Sequence, residues 1–124
     1  MINVEFIELS NEYSIEGVAP KPRGFVTFKV SHFRCYDKKS IMKNGGNTVL
    51  SFILDNAPAM VVSRCSANET YSRKKGIETC IHKYVKRIFN TDVISITKGP
   101  NAHGSKDSYV VEIHPRHPKV YTIR

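Results

Sequence analysis

The chain reads as an α+β domain, a mostly antiparallel sheet of six or seven strands packed against one long amphipathic helix. Three observations predict it. Short runs rich in aromatic and β-branched residues recur between clusters of Gly, Pro, Asn and Asp, the pattern of strands and turns. One segment only, residues 71–89, places its apolar residues at three-and-four spacing, with Ile77, Cys80, Ile81, Tyr84, Val85, Ile88 and Phe89 on a single stripe. The 124 residues, 40% of them hydrophobic and 24% charged, suffice for one core in one domain, residues 1–124, without disulfide or metal staples. A lone helix beside so many strands has to lie on a sheet.

Residues 2–9 alternate at period two and predict a half-buried first strand. Residues 11–23 read as loop, and residues 24–33 (Gly-Phe-Val-Thr-Phe-Lys-Val-Ser-His-Phe) as a second strand. The segment 37–47 connects it to a third strand at 48–54, and Asp55-Asn56-Ala57-Pro58 turns the chain into a fourth at 59–63, so these two form a hairpin. The chain then empties into the helix. Ser66 and Glu69 have the Ser-x-x-Glu spacing of a capping box, in which each side chain satisfies a backbone N–H at the helix start. Gly76, inside the helix, costs about 1 kcal/mol against alanine; close approach to a strand or backbone access for a ligand would each justify it. Strands five and six follow at 93–96 and 108–113 around a loop at 98–107, and residues 120–123 offer a seventh.

Charge is unevenly spread. Nineteen Lys and Arg against eleven Asp and Glu leave a net charge of +8. Residues 1–20 hold Glu5, Glu8, Glu12 and Glu16 with no basic residue, whereas residues 71–89 hold Arg73, Lys74, Lys75, Lys83, Lys86 and Arg87 against Glu78 alone. Such segregation fits a surface that meets phosphate, as it fits a merely solvated face. The three cysteines, Cys35, Cys65 and Cys80, contain no Cys-x-x-Cys pair and are odd in number, so reduced thiols in a cytoplasmic protein are expected. The expected protein is soluble and unexported: no basic leader with an apolar run opens the chain, and no window approaches the roughly eighteen apolar residues of a membrane span.

The strand-to-helix junction is where chemistry is legible. A helix start presents free N–H groups and positive dipole, and this one carries Arg73-Lys74-Lys75, a combination suited to an anion. Arg64, Ser66, Tyr71, Arg73, Lys74 and Lys75 are therefore the predicted phosphate-binding residues, with Tyr71 or Tyr109 available to stack on a base. Arg116 joins them from His114-Pro115-Arg116-His117-Pro118, where prolines stiffen an extended segment that displays imidazoles and a guanidinium; an edge-strand connector gives the same composition.

Other constellations are weak. Cys80 and His82 lie two apart on a helix and point about 200° apart, so they share no metal and read as a core thiol beside a surface imidazole. Asp37, Asp55, Glu69, Asp92 and Asp107 are scattered rather than paired, and a hydrolase would have to be built from His103, His114 or His117. Gly45-Gly46 lacks the strand-Gly-helix context of a phosphate loop and reads as a turn. No catalytic residue, metal site or cofactor is predicted.

Residues 65–77 also resemble a pattern of small accessory proteins of tailed bacteriophages, in which a strand leads through Cys-Ser-x-x-Asp-x-Phe-Ser-(Arg/Lys)-(Arg/Lys)-x-Gly-Arg into an amphipathic helix. Cys65, Ser66, Ser72, Arg73, Lys74 and Gly76 match; Glu69 stands for the aspartate, Tyr71 for the phenylalanine, and Ile77 replaces the last arginine, whose charge Lys75 can supply. The resemblance implies phage origin, action in the host cytoplasm, and a role in modifying host processes or blunting defence.

Two functions from different classes follow. One is a non-enzymatic module that binds nucleic acid or a nucleotide. The other is an inhibitor whose basic surface docks on a host nucleic-acid-processing or defence enzyme. The acidic N-terminal segment opposite the basic helix leaves self-association open, and a membrane partner is not expected.

Overall fold

A computed structural model of the chain describes residues 1–9, 21–99 and 107–115. The chain is α+β, with strands β1 (Ile2–Glu8), β2 (Lys21–Phe33), β3 (Tyr36–Asp37), β4 (Ser40–Ile41), β5 (Asn44–Leu54) and β6 (Ala57–Thr70), helix α1 (Arg73–Ile88), then β7 (Val93–Lys98) and β8 (Ser108–Ile113). Six strands form a mostly antiparallel sheet in the order β6-β5-β2-β1-β8-β7, and β3 with β4 makes a separate two-stranded ribbon. The seventh strand expected at 120–123 lies outside the described residues. No helix among the described residues is long and apolar enough to cross a membrane.

The residues group into two compact units, one of residues 1–2 and 27–83, the other the described part of residues 3–26 and 84–124. In the first, β5 pairs antiparallel with both β2 and β6, so that Val30, Leu50 and Val61 make one cross-strand row and His32, Thr48 and Ser63 the next. Side chains alternate across a strand, so these rows share one face. That face is the buried one: Phe28, Leu50, Phe52 and Val61 lie there with Ile77, Cys80 and Ile81 of α1. Phe28 meets Phe52 edge-on at 5.7 Å between ring centroids. Asp55 and Asn56, at φ 51° and 66°, close the β5–β6 hairpin with the two left-handed residues of a type I′ turn, between the pair Leu54 and Ala57.

Two segments of this unit differ from the sequence reading. The connector at 37–47 contains the ribbon β3–β4, which pairs Tyr36 with Ile41 and Asp37 with Ser40. More important for function, β6 does not end at residue 63. It runs to Thr70 with an excursion: Gly46 pairs with Cys65, but the next pair is Asn44 with Thr70, leaving residues 66–69 bulged out.

In the second unit β8 pairs parallel with β1 and antiparallel with β7. Val4, Phe6, Tyr109, Val111 and Ile113 are buried, with Tyr84 and Val85 from the end of the helix. Phe6 stacks on Tyr84 at 5.3 Å and meets Phe89 at 5.2 Å. Asn90, at φ 55°, ends the helix in the left-handed cap conformation, and Lys86 and Arg87 in the last turn complement its dipole. The Thr91 hydroxyl donates to the His114 carbonyl at 3.1 Å, tying β8 to the segment that leaves the helix.

Candidate anion site at the start of the helix

Helix α1 begins at Arg73, and its cap is Ser72, whose Oγ accepts the Lys75 N–H at 3.1 Å. The capping box expected from Ser66 and Glu69 does not form. Ser66 instead accepts the Asn68 N–H at 3.1 Å within the bulge, and Glu69 faces Lys75 in an exposed ion pair at 3.6 Å. The Cys65 thiol explains the difference, because it points into the bulge and donates to the Glu69 carbonyl at 3.3 Å, holding residues 66–69 away from helical geometry. With Ser72 as cap, the amides of Arg73 and Lys74 are left without an acceptor among the described residues.

Beneath the cap lies a polar hub. The Tyr71 hydroxyl is 2.6 Å from both His32 Nδ1 and Thr48 Oγ1 and donates to the Asn47 carbonyl at 3.1 Å. The single phenolic proton serves one of these three partners at a time; when it goes to the Asn47 carbonyl, the Thr48 hydroxyl and a His32 Nδ1–H can both donate to the phenol oxygen. Burial, then the charges of Arg73 and Arg34, lowers the His32 pKa below its ordinary value near 6.5 and keeps the ring neutral. The Arg34 guanidinium lies over the Tyr71 ring, 4.6 Å from its centroid, and donates to the Met42 carbonyl at 2.8 Å. Below the ring, Gly46 at φ 120° has no room for a side chain, since a Cβ would sit 2.9 Å from Tyr71 Cδ1. Tyr71 is thus clamped between a glycine and an arginine, with its hydroxyl fully used. It positions the junction.

Gly76 resolves in favour of close packing. Thr48 occupies the space where its Cβ would be, with Thr48 Cβ only 2.8 Å away, so the first turn of the helix rests directly on β5. The same contact leaves a pocket of about 250 Å³ beside it, lined by Ser63, Arg64, Cys65, Thr70, Tyr71, Ser72, Lys75, Gly76 and Thr79 among others. Three predicted residues, Arg64, Tyr71 and Lys75, meet there. Arg73 and Lys74 are exposed on the first helical turn, with no acidic partner within 4 Å among the described residues. Ser66 lies in the bulge and does not line the pocket; Arg116 is outside the described residues.

The pocket brings together the hydroxyls of Ser72, Thr70 and Thr79, the positive end of the helix, and Lys75 in its pair with Glu69, which also lines it; Arg64 borders it from β6. No group of three or more His, Cys, Asp or Glu among the described residues is placed to hold a metal ion. Cys80, fully buried, donates its thiol to the Thr48 carbonyl at 3.3 Å, and burial pushes its pKa up, while His82 is exposed, as the helical spacing predicted. Sequence reasoning missed His32, Arg34, Asn47 and Thr48. The hydrogen-bonded partners of Tyr71 among them lie 23 to 39 residues away, so no local spacing connects them. Comparison with protein-family models, curated proteins and solved structures gives no match to the chain.

Proposed function

We propose that the chain is a non-enzymatic binding protein for a phosphate-bearing ligand, nucleic acid or a nucleotide, with a phosphate seated at the start of α1. The observation that carries this reading is a pocket at the helix start lined by Arg64, Ser72 and Lys75, the last also paired with Glu69, next to the exposed Arg73 and Lys74, whose amides have no acceptor among the described residues. Such an arrangement provides hydrogen-bond donors and positive charge at one point, which is what a phosphate requires. Following the phage resemblance, the ligand or its complex is met in a bacterial host cytoplasm, and the protein acts by occupying a nucleic-acid-processing or defence component in proportion to its own concentration.

The test is the affinity for a mixed-sequence oligonucleotide as a function of salt. Affinity is expected to fall linearly on a log–log plot, with a slope set by the number of phosphates neutralised. Changing Arg73, Lys74 and Lys75 together to Ala should remove most of that slope and leave the fold intact, since all three are exposed. Salt-independent binding, or none at low salt, contradicts the reading and favours an inhibitor that docks on a host protein.

A further inference from the structure

Row by row, the solvent face of β2, β5 and β6 is set by the same register as the core: Phe33, Asn47 and Arg64 stand side by side on it, with Lys29, Ser51 and Met60 two rows away. Phe33 is 58% exposed, and three residues on Tyr36 is 62% exposed. No ring or cation contact occupies either aromatic among the described residues. Around them the chain is basic, with Lys38, Lys39 and Lys43 all exposed and Asp37 the only acid between residues 33 and 43. Lys38 sits at the ribbon turn with φ 58°, a left-handed position at which glycine or asparagine is the relaxed choice. Two large exposed rings three residues apart, followed in the chain by exposed lysines, fit a ligand with flat apolar faces and a negative backbone.

We infer that this face and the β3–β4 ribbon bind single-stranded nucleic acid, with Phe33 and Tyr36 as stacking platforms and Lys38, Lys39, Lys43 and Arg64 along the phosphates. Arg64 also borders the pocket at the helix start, and this inference rests on the phosphate-binding reading. A duplex is a poorer fit, because its base faces are already stacked on one another and cannot reach the rings.

Fluorescence anisotropy of the full chain with a labelled mixed-sequence 20-mer tests it, using single-stranded DNA, single-stranded RNA and the DNA duplex. Binding to one or both single strands is expected about tenfold tighter than to the duplex, and whichever sugar is preferred names the ligand. Phe33→Ala and Tyr36→Ala should each weaken single-strand binding about tenfold, the loss of one stacked base, without changing the salt slope. Phe33→Tyr and Tyr36→Phe should keep the parent affinity. The chain has no tryptophan, so Tyr36→Trp installs a single reporter whose indole emission should be quenched by a stacked base. Salt-dependent binding that ignores Phe33 and Tyr36, with the indole emission of the Tyr36→Trp variant unchanged at saturation, overturns this inference alone; absence of any oligonucleotide binding overturns it together with its nucleic-acid premise.

Discussion

Alanine in place of a helix-interior glycine ordinarily stabilises by about 1 kcal/mol. At Gly76 the sign is expected to reverse, because the added methyl meets Thr48 on β5 and must push the helix off the strand; overpacking of this kind costs about 1–3 kcal/mol. Urea denaturation of Gly76→Ala checks it, and a gain in stability would show that the helix is not seated on Thr48. His32 gives the second single-residue test. Its native pKa is lowered by burial and by Arg73 and Arg34, so the unfolded chain takes up the proton first as pH falls. The stability tied to neutral His32 is therefore complete above about pH 6.5 and is lost as pH falls through the depressed native value. Relative to His32→Gln, which cannot titrate, the parent should lose stability between pH 7 and the acid limit; parallel curves for the two would contradict it.

The placement of the helix cap can be tested by two serines. Ser72→Ala should cost about 1 kcal/mol through the lost Lys75 amide partner, whereas Ser66→Ala should leave the helix unaffected. Thermal unfolding of the pair separates the structure from the capping box that local spacing suggested. Most elements were legible for simple reasons. The stripe Ile77, Cys80, Ile81, Tyr84 and Val85 is buried because three-and-four spacing has one geometric meaning, and Asp55-Asn56 turns because those side chains tolerate the left-handed region. The cap was misread because two serines competed for it. What decides between them is a Cys65 thiol turned into the bulge and a pairing of β6 with Asn44 and Gly46, and neither leaves a trace in the nearby sequence. The Tyr71 hub was unreadable for the same reason, its partners being brought together by β2 and β5.

At the scale of the molecule, charge segregation became geometry. Arg73, Lys74, Lys75, Lys83, Lys86 and Arg87 are all exposed along one helix, and Lys75 and Lys86 meet Glu69 and Asp92 in solvent-exposed pairs at 3.6 and 3.8 Å, which contribute little to stability. Lys83 also covers the edge strand, donating to the Val62 carbonyl at 2.6 Å. The helix is thus held to the sheet by its apolar stripe, and the charges of its first turn face solvent. The claim that the start of this helix binds phosphate is tested most directly by an amide-resolved NMR titration of the whole protein, first with inorganic phosphate and then with a short oligonucleotide. The account predicts that the amides of Arg73 and Lys74 shift most, with Arg64, Ser72 and Lys75 following, and that Arg73→Ala with Lys74→Ala weakens the response. Shifts confined to residues away from α1, or none at either ligand, would contradict it.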